Sequence, residues 1–194
     1  MSSKQKMIEQ SYNLFCEYGE NFSLSQVTDV IGIKKQSIYN YFSGKDELII
    51  EMLNYKIETY YNNSENAFDD FKDLDLKERL YKMGKFTISV FESEQSFKFR
   101  RWVSLSMSTK GIEDVKDLIK LNESKFKDLV RGLLQGGIDS EVVKNTDIDF
   151  IVTAYFVLLK GIIDGILNVE NHGYSQEFFK KTFEYYWIMI TRNL

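Results

Sequence analysis

Between Lys34 and Lys45 the chain sets out side chains that carry positive charge or hydrogen-bond readily: Lys34, Lys35, Gln36, Ser37, Tyr39, Asn40, Tyr41 and Lys45. Ile38 and Phe42 are left to anchor the stretch in a core. This is chemistry suited to a nucleic-acid groove. Gln36 has the geometry for a bidentate contact to adenine, and Lys35 for a contact to guanine. Ser37 and, further along, Asn40 are the remaining candidates for base edges. Lys34, Lys35 and Lys45 form a local basic patch able to meet phosphates.

The flanking residues predict what positions this stretch. Ser23 and Gln26 have capping-box spacing, and Phe22 and Val27 flank them as a hydrophobic staple. Val27, Val30 and Ile31 then offer a buried stripe for a helix from Leu24 to Ile31. Gly32 follows where a sharp turn needs positive φ. Two short helices about a glycine turn make a helix-turn-helix, whose second helix enters the major groove. Upstream, a first helix is expected from about Lys4 to Tyr18, with Ile8, Phe15 and either Ser11 or Tyr12 facing in and Gly19 ending it. Downstream, Ser43 and Asp46 predict a capping box for a fourth helix. It runs through Leu48, Met52, Tyr55 and Thr59 to about Ala67. The boundary between a DNA-binding domain (1–47) and the remainder (48–194) therefore falls within continuous helix.

No proline occurs in the 194 residues, where average usage of about 5% predicts roughly ten. The expectation is an all-α chain of nine helices, the later ones at about 76–92, 95–108, 113–136, 147–169 and 176–192. In the eighth, Gly161 and Gly165 share a face with Ala154 and Val157. The ninth carries Phe179, Phe183, Tyr186, Trp187 and Ile190. Either the two helices pack within one chain, or they build a symmetric homodimer. We expect the dimer, with Val157, Gly161, Gly165, Phe183 and Trp187 at its interface, because reading two operator half-sites takes two copies.

Little else in the chain points to chemistry. The one histidine, His172, stands in a polar Asn-His-Gly turn, and converging metal ligands are not evident. Cys16 has no second cysteine with which to pair, in keeping with a reducing cytoplasm. No phosphate loop or nucleophile elbow is present, so neither a cofactor nor catalysis is expected. The apolar run 150–169 is interrupted by Lys160 and Asp164 and reads as a buried helix of a soluble protein, with no membrane role. Net charge is −4. Residues 1–50 hold five lysines against six carboxylates, so only the placement of charge favours nucleic acid.

Aromatic residues crowd 86–102, where Arg100 and Arg101 also sit. On a helix these arginines point about 100° apart, so at most one faces squarely inward. Tyr60, Phe86, Phe91, Phe99, Trp102, Phe126 and Tyr155 are candidates for an apolar ligand pocket. The same residues could simply fill a core.

Gly32-Ile33, Ile38 to Phe42 and Lys45 to Leu48 together resemble the signature of the tetracycline-repressor (TetR) family. The upstream Ile8, Leu14-Phe15 and Tyr18-Gly19 spacing resembles it too, and 133–167 carries a weaker echo. The resemblance implies a ligand-responsive regulator, usually a repressor, that binds a pseudo-palindromic double-stranded DNA operator as a homodimer and takes a small-molecule effector in its C-terminal domain. It also implies phosphate contacts by Tyr39, Tyr41 and Lys45, with Lys34 joining them. The chain departs from the pattern at Lys34, where a capping Ser or Thr is common, at Gln36, where a small residue is usual, and at Ser11, where alanine is common. A DNA-binding protein without an effector, acting in nucleoid or partner-protein control, is the alternative. A helical enzyme is a remote one.

Overall fold

The computed structural model describes residues 1–104, 109–140, 147–168 and 173–191. Among these lie eight α-helices: α1 (Ser3–Tyr18), α2 (Leu24–Ile31), α3 (Lys45–Asp70), α4 (Leu76–Ser89), α5 (Glu94–Ser104), α6 (Ile112–Asp139), α7 (Ile148–Leu167) and α8 (Gln176–Thr191). The remaining expected helix, the recognition segment, is a 3-10 helix over Lys35–Asn40. Local chemistry explains its tightness. Lys34 at its start provides no side-chain cap, and no carboxylate stands in its first turn, so its amide groups close by short-range turns. His172, the end of the helix expected at 95–108, and 141–146 within the weaker echo lie outside the described residues.

Two compact units emerge. The first joins Met1–Tyr61 to Glu94–Lys120, and the second joins Asn62–Ser93 to Leu121–Leu194. The first is larger than the segment expected to bind DNA, because α5 packs along α1. Its core is Met7, Phe15, Phe22, Val27, Ile38, Phe42 and the inner face of α3 at Leu48, Ile49, Met52 and Leu53. Of the two candidates on α1, Ser11 is the fully buried one. On α2 the inward stripe is Leu24, Val27, Thr28 and Ile31, the i, i+3, i+4, i+7 set. Val30, expected inside, falls off that stripe and is 64% exposed.

In the second unit α7 is central. Its Val152, Tyr155, Phe156, Leu159, Ile162 and Ile166 are buried against Leu80, Met83, Val130, Leu134 and Phe183. Among the described residues it is the one helix long and apolar enough to cross a membrane. Its inward positions are the core of this unit, while Phe150 and Val157 remain exposed. Asp147 caps it, accepting from the Phe150 amide at 3.0 Å.

Candidate nucleic-acid interface

Local hydrogen bonds hold the helix-turn-helix. Ser23 Oγ accepts from the Gln26 amide at 3.2 Å, and Gln26 Oε1 accepts from the Ser23 amide at 2.7 Å. Both halves of the capping box are therefore made. Phe22 and Val27 lie buried beside it. Gly32 ends α2 in the left-handed conformation (φ 72°, ψ 34°), which a Cβ would strain. The chain then enters the recognition segment, where the Ser37 amide donates to the Lys34 carbonyl at 2.8 Å.

Ile38 and Phe42 are the anchors, 0% and 2% exposed. Around them Lys34, Lys35, Gln36, Tyr39, Asn40 and Tyr41 are exposed, and Ser37 and Lys45 are half-buried. The Lys45 ammonium lies 5.5 Å from the Phe22 ring centroid, so its stem is packed while its charge stays at the surface. All eight expected residues thus sit on one short stretch. Asp46 is not the reciprocal partner of Ser43. Glu47, one residue later, accepts from the Ser43 amide, and hydrogen bonding from the Ser43 side chain and then its amide holds the carboxyl below the usual carboxylate range.

Several contacts behind this face have no sequence signal. On α5, Lys98 pairs with Glu17 of α1 at 2.7 Å, and Gln95 donates to Asn13 at 2.7 Å. Trp102 Nε1 donates to the Cys16 carbonyl at 3.2 Å, and its ring lies so close that a Cβ on Gly19 would stand 2.5 Å away. Glu20 accepts from both the amide and the hydroxyl of Thr109, at 3.1 and 2.8 Å. Partners some 80 to 90 residues apart in sequence leave no local pattern. Burial pushes the Cys16 thiol up to about 11, so it stays protonated and unreactive at neutral pH.

The expected pocket residues divide between the units. Tyr60, Phe99 and Trp102 belong to the first. Phe99 packs edge-on against Tyr12 and Phe15 at 5.2 and 6.0 Å, while Tyr60 meets Tyr61. Phe99 and Trp102 are used in packing α5 on α1. In the second unit Phe86, Phe126 and Tyr155 do come together. Phe68 meets Phe86 and stacks on Phe126, which meets Phe156 and, through it, Tyr155. Phe91 is half-buried in that unit.

The expected interface residues also divide. A Cβ on Gly165 would stand 2.2 Å from the Phe179 ring, so this glycine admits α8 of the same chain. Phe183 is fully buried, and Trp187 stacks beside it at 6.2 Å. Gly165 and Phe183 therefore belong to the intrachain contact and not to an exposed seam. Gly161 has open space around it, and Val157 is 65% exposed. One helical turn separates the two glycines, yet the i+4 rotation of about 40° carries one out of the α8 contact.

Residues 7–52 match the model of bacterial regulatory proteins of the tetR family. Among curated sequences none matches the chain. Solved structures share the fold at low identity. One is a TetR-family transcriptional regulator from Syntrophomonas wolfei, with TM-score 0.72 and 19% identity over 98% of this chain and 95% of that one. Another, from Saccharomonospora viridis, was solved with choline, at TM-score 0.76 and 15% identity over 94% and 93%. A third is the regulator FadR from Bacillus subtilis in complex with stearoyl-CoA, at TM-score 0.66 and 16% identity over 93% and 95%. With a capped α2, a left-handed glycine turn and an exposed polar face inside the matched segment, residues 7–52 are similar to the N-terminal domain of the tetR family of bacterial regulatory proteins, and the fold of the chain is that of the solved regulators above.

Proposed function

We propose that the chain is a homodimeric, ligand-responsive transcriptional repressor of the cytoplasm, holding a pseudo-palindromic operator through residues 34–45 of each copy. The observation that carries this reading is the exposed polar face set on two buried anchors, Ile38 and Phe42. Lys35, Gln36, Ser37 and Asn40 read base edges, and Lys34, Tyr39, Tyr41 and Lys45 hold phosphates. Apolar side chains left exposed on α7 and α8 support dimerisation: Phe150 and Val157 on one, Phe178, Tyr185 and Met189 on the other. Several exposed side chains of this size on two helices that pack together are more than isolated surface apolar groups explain.

The functional boundary stays near residue 47, with residues 48–194 serving effector binding and dimerisation. Solved relatives of the fold carry choline or stearoyl-CoA, which supports a small-molecule effector here. An effector changes operator occupancy only if it binds the DNA-competent and incompetent states with different affinity. A second reading, in which no molecule enters the core, is supported by the small size of one cavity among the described residues. A cavity between Leu80, Leu134, Tyr155 and Trp187 measures about 120 Å³, no larger than the roughly 150 Å³ that accommodates benzene.

Selection of operators from random duplex DNA tests the DNA reading. A palindromic consensus that changes with Gln36→Ala is expected, and an unchanged consensus would remove Gln36 from the base-reading set. Sedimentation at micromolar concentration should give a dimer, and a monomer would contradict the two-half-site geometry.

A further inference from the structure

Along α4 a groove of about 360 Å³ opens on the second unit, three times the volume of the interior cavity and within the ordinary range of ligand sites. Its floor is apolar, made by Phe71, Phe86 and Ile88. Its rim carries Lys82, Lys85 and Lys180 against a single carboxylate, Glu92. Two of the ammonium groups are held in place: Lys85 by Glu184 at 2.9 Å, and Lys180 by Glu92 at 3.1 Å. Lys82 is exposed and makes no ion pair among the described residues. One turn earlier, Arg79 keeps its Nε buried with no hydrogen-bond partner among the described residues. Positions 79, 82, 86 and 89 recur at spacings of three and four, so they share one face of α4.

We propose that this groove binds an amphipathic organic anion: a carboxylate or phosphate head on a compact aromatic or aliphatic body. The body covers Phe71 and Phe86, where apolar surface now faces water. The head is drawn to Lys82 and shared with Lys180, competing there with Glu92. Lysine ammoniums are compact charges without a fixed fork, so they accept either head group. The interior cavity cannot serve the same ligand. Its wall carries no charge, and its Tyr155 hydroxyl is already spent on the Leu80 carbonyl at 2.7 Å. The proposal depends on the regulatory reading above only in taking such an anion as the effector; binding itself does not need DNA.

The test uses the full chain and a matched pair of fluorescent probes. 8-Anilinonaphthalene-1-sulfonate has the anionic head, and N-phenyl-1-naphthylamine has the same body without it. We expect saturable binding of the sulfonate, weakened about tenfold by Lys82→Gln and further by Lys82→Gln with Lys180→Gln, the worth of one hydrogen bond between charged groups. Affinity for the neutral probe should not change in these variants. Octanoate and octyl phosphate should displace the sulfonate, and octan-1-ol should not. The stronger competitor of the two identifies the head group. Equal affinity for both probes, or indifference of the sulfonate to loss of the two lysines, would overturn the site. Helix content by circular dichroism verifies that the variants fold, and unchanged binding of the neutral probe shows that the groove is intact. Operator affinity is then read separately at saturating octanoate. If octanoate occupies the groove while operator binding is unaltered, the effector role fails and the site stands.

Discussion

Residues 22–45 take their geometry from near neighbours, whereas the second unit is assembled from distant ones. Ser23 and Gln26 satisfy each other three residues apart, and Gly32 turns the chain beside them. By contrast Tyr155 reaches Leu80, 75 residues away, and Lys85 reaches Glu184 across 99. The contrast teaches where function can be read. The recognition face is exposed, so its side chains need only a correctly placed local scaffold. Residues in the second unit acquire a role only through what they are packed against, and aromatic content there does not distinguish wall from filling.

The comparison is tested most severely at the paired glycines of α7. Gly165→Val forces a side chain into the Phe179 ring and should cost about 3 kcal/mol, the upper range for overpacking. Gly161→Ala meets no neighbour and should leave stability unchanged or raise it by up to about 1 kcal/mol through helix propensity. Thermal unfolding followed by circular dichroism reads both. Equal effects would mean that the two glycines are not divided between core and surface.

At the recognition face the expected loss is in binding and not in stability. Lys35→Ala and Gln36→Ala should each weaken operator binding by about 1–3 kcal/mol with no change in melting temperature. Lys45→Ala should weaken all sequences alike and lower the salt dependence by about one phosphate per copy. Titrations at several salt concentrations separate the two classes. A Gln36 variant that behaved like the Lys45 variant would move Gln36 to the phosphate group.

Removing the cap with Ser23→Ala should cost about 1 kcal/mol and loosen the recognition segment behind it. Denaturant titration gives the stability change, and amide exchange at Thr28 to Gly32 shows whether the loss is local. The smallest effect is expected on α1. The Ser11 hydroxyl is fully buried and lacks a hydrogen-bond partner among the described residues. Ser11→Ala should therefore be neutral or stabilising by up to about 1 kcal/mol. A clear loss of stability would show that the hydroxyl is in fact satisfied.

The amino-acid sequence by itself determined the helical class, the absence of proline-broken segments, the capping box, the glycine turn and the two anchors Ile38 and Phe42. Each of these depends on contacts within a few residues, whose energies act before any long-range packing exists. Even there the sequence placed Val30 inside and chose Asp46 over Glu47, because a stripe one position wide and a carboxylate one residue on are nearly equivalent locally. Tertiary structure alone decided that Trp102 and Phe99 serve α1, that Gly165 admits Phe179 while Gly161 faces open space, and that Lys82, Lys85 and Lys180 meet around Phe86. Those outcomes follow from the rotation and approach of whole helices. A helix carries two or three faces apolar enough to be buried, and only the sum of contacts with distant partners selects among them.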